Sequence, residues 1–82
     1  MMQTSQSRAE IEAWLIREIS ERLKIPIEEV DIAAELTQFG LDSAEGVSLM
    51  AGLETWLDRE LSPTLVWDYP TIRSMAGYLA RE

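Results

Sequence analysis

The tetrapeptide Gly40-Leu41-Asp42-Ser43 places a hydroxyl group where an amphipathic segment begins. Asp42 has the residue type of a helix cap, and Glu45 follows it three positions later, as in a capping box. With Asp42 as the cap, Ser43 falls in the first helical turn and its hydroxyl faces water. If Ser43 were itself the cap, its oxygen would be occupied by backbone amides.

The composition limits the chemistry of this hydroxyl. The 82 residues include no His and no Cys, so the sequence supplies no ordinary base to activate Ser43 as a nucleophile. A phosphate ester formed there by another enzyme would be stabilised by the amide hydrogens and the positive dipole end of the helix. Two interpretations stay open: Ser43 accepts a phosphorylated group, or it only helps to begin a helix.

The chain is acidic, with 7 Lys and Arg against 15 Asp and Glu and a net charge of −8. This charge repels nucleic acid, so we expect no nucleic-acid partner. The acidic loop residues lack the spacing of a calcium loop, so we expect no metal; they are Glu28, Glu29, Asp31 and Glu35. No apolar run approaches the ~20 residues of a transmembrane helix. We therefore expect a cytoplasmic protein that does not bind membranes, and we expect it to be a monomer.

Hydrophobic periodicity predicts an all-α fold, a four-helix bundle of three main helices and one short third helix. Helix one begins at the capping pattern Ser7-x-x-Glu10 and runs to Leu23. A long loop, with one short helical turn near residues 28–30, leads to helix two, which begins near Asp42. We treat residues 1–82 as a single domain with a disordered lead at residues 1–6.

Helix two has an apolar face and an opposite face of small side chains. The apolar positions are Val47, Leu49, Met50, Leu53, Trp56 and Leu57, and the opposite positions are Ala44, Glu45, Ser48, Gly52 and Thr55. Ser62-Pro63 predicts the start of the short third helix, and Thr71 is the expected cap of a last helix that runs to about Arg81. The three Trp residues are expected to pack in or around the core.

Three segments resemble acyl carrier proteins. Gly40-Leu41-Asp42-Ser43, with its approach from Leu36, is similar to the family's attachment motif, and the stretch from Leu61 to Ile72 resembles the carrier segment of modular polyketide synthases. The run from Gly46 to Leu57 is more similar to carriers that work with fatty acyl-AMP ligases. The family fold, a four-helix bundle with a short third helix, agrees with the periodicity.

The resemblance implies a non-catalytic carrier. Ser43 would receive 4′-phosphopantetheine from coenzyme A through a phosphopantetheinyl transferase, with Asp42 as the helix cap beside it. The terminal thiol of the arm would then hold acyl intermediates for polyketide or lipopeptide biosynthesis. Expected partners are the transferase, an acyl-loading enzyme such as a fatty acyl-AMP ligase, and downstream synthase or tailoring enzymes.

We predict a docking face for these partners beside Ser43. Its residues are Leu41, Ala44, Glu45, Ser48 and Gly52. Residues 42–58 carry four acids and no Lys or Arg, which favours basic partner surfaces. Two alternatives remain: a peptidyl carrier of a nonribosomal peptide synthetase, and an unmodified helical adaptor that binds a basic partner. An enzyme that uses carboxylates has little support, because no two acids lie in an evident pocket.

Overall fold

A computed structural model describes residues 7–62 and 64–81, which form a helical bundle. The described helices are α1 (Arg8–Leu23), α2 (Ser43–Leu57), α3 (Leu65–Asp68) and α4 (Ile72–Arg81), with 3-10 turns at Ile27–Glu29 and Leu36–Phe39. The predicted all-α fold with one short third helix is confirmed. The expected disordered lead at residues 1–6, and the part of the helix-start signal that falls on Pro63, lie outside the described residues.

Helix α1 begins as the sequence predicts. The Ser7 hydroxyl accepts from the Glu10 amide at 3.1 Å, and the Ser7 amide donates to the Glu10 carboxylate at 2.9 Å. Two amide hydrogens of the first turn are thereby satisfied. The helix ends where Lys24 takes a left-handed conformation with φ 59°, so the chain turns before it reaches Pro26.

The core is formed mainly by α1, α2 and α4, with α1 packed along α4. Each of these helices contributes one apolar stripe at spacings of three and four residues, as amphipathic helices do. The fully buried large side chains are Ile11, Leu15, Ile19, Leu49, Leu53, Ile72 and Met75. In addition, Trp14 of α1 stacks against Trp56 of α2, with ring centroids 5.4 Å apart.

The long loop between α1 and α2 is fixed to the start of α4. The Leu36 amide donates to the Pro70 carbonyl at 2.8 Å, and the Arg73 amide donates to the Ile32 carbonyl at 3.0 Å. Val30 and Leu36 are buried. These contacts compensate part of the entropy cost of ordering so long a connection and hold the chain that leads to Ser43.

Two expectations for the second half of the chain need correction. Helix α3 begins at Leu65 with Thr64 as its N-cap residue, later than the Ser62-Pro63 signal predicts. The Ser62 hydroxyl accepts from the Thr64 amide at 3.2 Å. Trp67 on α3 is 69% exposed, so its predicted place in or around the core is wrong. Thr71 does cap α4, because its hydroxyl accepts from the Ser74 amide at 3.0 Å.

Candidate functional site

The chain enters α2 through a turn that leaves Ser43 at the first helical position. Gly40 takes a left-handed conformation with φ 85°, which favours glycine. Asp42 is extended, and its Oδ1 accepts from the Glu45 amide at 2.8 Å. Asp42 is therefore the cap, as predicted, and the exposed Ser43 hydroxyl is left for other partners.

The predicted capping box is only half formed. Among the described residues, the Glu45 carboxylate does not return to the Asp42 amide; it accepts from Nη1 of Arg22 at 3.1 Å. The same Nη1 donates to the Ser48 hydroxyl at 3.1 Å. A cation from the last turn of α1 therefore lies between two residues of the predicted docking face.

Some residues of the predicted docking face are exposed to solvent, and others pack against the helical bundle. Ala44 and Ser48 are exposed. Gly52 instead packs against α1, because a Cβ added there would lie 3.4 Å from Cη2 of Trp14. Leu41 is half-buried and packs on the core. Direct access for a partner is thus greatest at Ala44 and Ser48.

Val47 does not lie on the face of α2 that the sequence predicted for it. We assigned it to the apolar face of α2, but its side chain is 70% exposed, so this assignment is wrong. The buried residues of α2 are Leu49, Met50 and Leu53. Val47 comes one helical turn after Ser43 and therefore presents an apolar surface on the same side of the helix.

An open groove of about 1140 Å³ runs beside Ser43, between the start of α2 and the segment around α3. Val47 and Met50 line it from α2, and Val66 and Trp67 line it from α3. Trp67 is the second strongly exposed apolar side chain at this groove after Val47. Sequence periodicity missed this feature, because it depends on where α3 lies relative to α2.

Neither the acidic loop nor α2 gathers the ligands that a metal needs: no cluster of three Asp or Glu suitable for an ion occurs in residues 7–62 and 64–81. None of the helices described over these residues is long and apolar enough to cross a bilayer. Asp42 is engaged as a cap, and a carboxylate oxygen of Glu54 accepts from the Leu61 amide at 2.8 Å. These acids have structural contacts.

A helical bundle with an exposed serine at the start of α2 is the arrangement of a carrier domain, and comparison with known proteins gives the same class. The family model described as "Phosphopantetheine attachment site" matches residues 13–79. The chain belongs to this family. Its members bind 4′-phosphopantetheine and act as carriers, not as catalysts.

Two solved structures share the fold along nearly their whole length. A free-standing peptidyl carrier protein from an uncharacterised secondary metabolic pathway of Acinetobacter baumannii is 35% identical with a TM-score of 0.84, over 92% of this chain and 94% of that one. An acyl carrier protein from Anabaena sp. PCC 7120, with a variant phosphopantetheinylation-site sequence, is 32% identical with a TM-score of 0.87, over 99% and 94%.

The curated relatives are polyketide synthases. A phenolphthiocerol/phthiocerol polyketide synthase of Mycobacterium tuberculosis is 32% identical over 81 residues, which is 99% of this chain and 4% of that protein. The chain therefore matches only a small part of such relatives. It is a carrier domain of the polyketide-synthase type, and such domains work with a phosphopantetheinyl transferase and with synthase enzymes.

Proposed function

We propose that Ser43 carries the 4′-phosphopantetheine arm and that the arm holds acyl intermediates as thioesters. The observation that carries this proposal is that Asp42, and not Ser43, caps α2. Asp42 satisfies the Glu45 amide at 2.8 Å, so the neighbouring serine does not have to cap the helix. Ser43 lies at the first helical position with its side chain exposed.

The local chemistry suits a phosphoester. The amides of a first helical turn have no intrahelical acceptor. In α2 the side chain of Asp42 accepts a hydrogen bond from one of them, the amide of Glu45. The amides of Ser43 and Ala44 and the positive end of the helix therefore stabilise anionic oxygens attached to the serine. The chain contains no His and no Cys, so the transferase must supply the base that removes the hydroxyl proton.

The test is the intact mass of the purified protein after incubation with coenzyme A and a broad-specificity phosphopantetheinyl transferase. The wild-type protein should gain one arm and Ser43→Ala should gain none. Ser48→Ala is the matched control, because it removes another exposed hydroxyl from the same helix, and it should still gain one arm. An unmodified wild-type protein, or a modified Ser43→Ala, would contradict the proposal.

We further propose that a fatty acyl-AMP ligase loads the arm at the start of a polyketide or lipopeptide pathway. The sequence of α2 from Gly46 to Leu57, which resembles carriers of that kind, supports this. Incubating the holo protein with such a ligase, ATP and a fatty acid should give an acyl thioester that hydroxylamine cleaves. Failure to load across a range of chain lengths would argue against this step but not against the arm itself.

A second candidate cargo is an aminoacyl group. The likeness to the Acinetobacter baumannii peptidyl carrier, at 35% identity and a TM-score of 0.84, favours it. The discriminating experiment offers the same holo protein to amino-acid adenylating enzymes and to fatty acyl-AMP ligases in parallel. The thioester that forms identifies the cargo class. A cytoplasmic location and a monomeric state remain predictions of the sequence.

For docking we propose the exposed surface of α2 next to Ser43. This surface includes Ala44 and Ser48 of the predicted docking face. It also includes Val47, because the Val47 side chain is exposed. Glu45 lies at its edge in contact with Arg22. Small side chains allow a partner to approach the helix closely, and Val47 offers an apolar contact that loses water on binding.

A further inference from the structure

Arg22 connects α1 to the proposed docking surface. Its Nη1 lies 3.1 Å from Glu45 Oε1 and 3.1 Å from Ser48 Oγ. Its Nε lies 3.6 Å from Glu18 Oε1, which is ion-pair distance, and this buried nitrogen has no hydrogen-bond partner among the described residues. Two carboxylates and one hydroxyl thus hold a single guanidinium in place.

The consequence for α2 is electrostatic. Residues 42–58 carry four acids and no basic residue, but Arg22 compensates the charge of Glu45 from outside the helix. The Arg22 and Glu45 side chains keep 22% and 44% of their exposure, so water and salt screen the pair and a partner can reach the carboxylate. A basic partner group that binds Glu45 must compete with Arg22 for it.

We propose that Arg22 is a positioning residue that tunes partner docking by holding and neutralising Glu45. This inference rests on the proposed function, and it names the partner chemistry: an enzyme that presents basic side chains to α2 beside Ser43. The net charge of −8 favours such a surface. Arg22 reduces the local attraction, which shortens the residence of each partner on a carrier that must visit several enzymes.

A double-mutant cycle tests this with the transferase as the probe. We would measure kcat and KM for arm transfer to wild type, Arg22→Met, Glu45→Gln and the double variant at several NaCl concentrations. Arg22→Met exposes an unpaired carboxylate, so KM should fall roughly two- to fivefold and depend more steeply on salt. Glu45→Gln removes the anion that a basic partner would bind and leaves Arg22 with only Glu18 and Ser48, so KM should rise by a similar factor.

The double variant is the decisive member of the cycle, because it removes both charges and should return KM and its salt dependence close to the wild-type values. A purely structural role for Arg22 would give losses in the same direction for both single variants, without rescue. Arg17→Met is the matched control: it removes an exposed cation from the same helix and changes net charge equally, so it should shift KM much less than Arg22→Met.

Opposite shifts that cancel in the double variant support the inference. Equal KM values in all variants, shifts in the same direction, or an equal effect of Arg17→Met would overturn it while Ser43 still acquires the arm. Absence of the arm in every variant, wild type included, would overturn the attachment at Ser43 and this inference with it. Circular dichroism spectra of the variants should match the wild type.

Discussion

Gly52 of α2 faces the ring of Trp14 on α1, and a Cβ at this position would lie 3.4 Å from Cη2 of the indole, at van der Waals contact. The same indole stacks on Trp56, with centroids 5.4 Å apart. A side chain longer than a Cβ at Gly52 would therefore meet an aromatic pair that joins the two helices. The predicted role of this glycine in partner approach competes with this internal packing.

A larger side chain at Gly52 should destabilise the fold. Gly52→Leu extends atoms into the Trp14 ring, and we expect a loss of about 1–3 kcal/mol in the free energy of unfolding. Gly46→Leu is the control on the same helix, since a Cβ there meets nothing within 4 Å. The control should be neutral or stabilising, because glycine costs about 1 kcal/mol in a helix. Urea unfolding measures both; equal losses would contradict the packing role.

The cap of α2 should contribute measurably to stability. Asp42→Ala removes the acceptor of the Glu45 amide, and we expect a loss of about 1 kcal/mol in the free energy of unfolding. Asp42→Asn keeps a side-chain oxygen in reach and should lose much less. Thermal or urea unfolding distinguishes these outcomes, and equal stability of the wild-type and Asp42→Ala proteins would show that the cap is dispensable.

The loop before Ser43 should depend on the buried side chain of Leu36. Leu36 is 2% exposed, and Leu36→Ala should cost about 2–5 kcal/mol, a large part of the stability of a domain this small. Ile27 in the same loop is 55% exposed, and Ile27→Ala should change the free energy of unfolding by no more than about 0.5 kcal/mol. A similar loss in both variants by urea unfolding would mean that the loop is not anchored at Leu36.

Partner loading should be sensitive to bulk and positive charge beside Ser43. Ala44→Arg and Ser48→Arg place a long cation on the exposed surface of α2, and we expect reduced acyl transfer by the cognate ligase with the helical content unchanged. Ala33→Arg, at an exposed loop position, is the control and should load normally. Normal loading of both α2 variants would remove the case for docking there.

Local signals predicted where α1, α2 and α4 begin. The reciprocal bonds of Ser7 with Glu10, the cap at Asp42 and the cap at Thr71 all involve residues within three positions of each other. Such contacts form wherever the chain turns into a helix, so residue type and spacing suffice to predict them. The start of α3 was predicted at Ser62-Pro63, but the N-cap residue is Thr64, whose side chain makes no capping hydrogen bond.

Contacts between distant parts of the chain were not predictable. Arg22 and Glu45 are 23 positions apart, and only the packing of α1 against α2 brings them together. Val47 was misassigned for the same reason: a spacing of three residues fits the apolar stripe, but α3 leaves this side of α2 uncovered. Trp67 looks like a core residue by type and is exposed by its position on a four-residue helix.

Mass spectrometry can locate the phosphopantetheine arm within the sequence. After reaction with coenzyme A and the transferase, trypsin cleavage after Lys24 and Arg59 releases residues 25–59, which contain both Ser43 and Ser48. Fragmentation of this peptide should place the added phosphopantetheine on Ser43. An unmodified peptide, or an arm found on Ser48 or elsewhere in the chain, would show that Ser43 is not the attachment site.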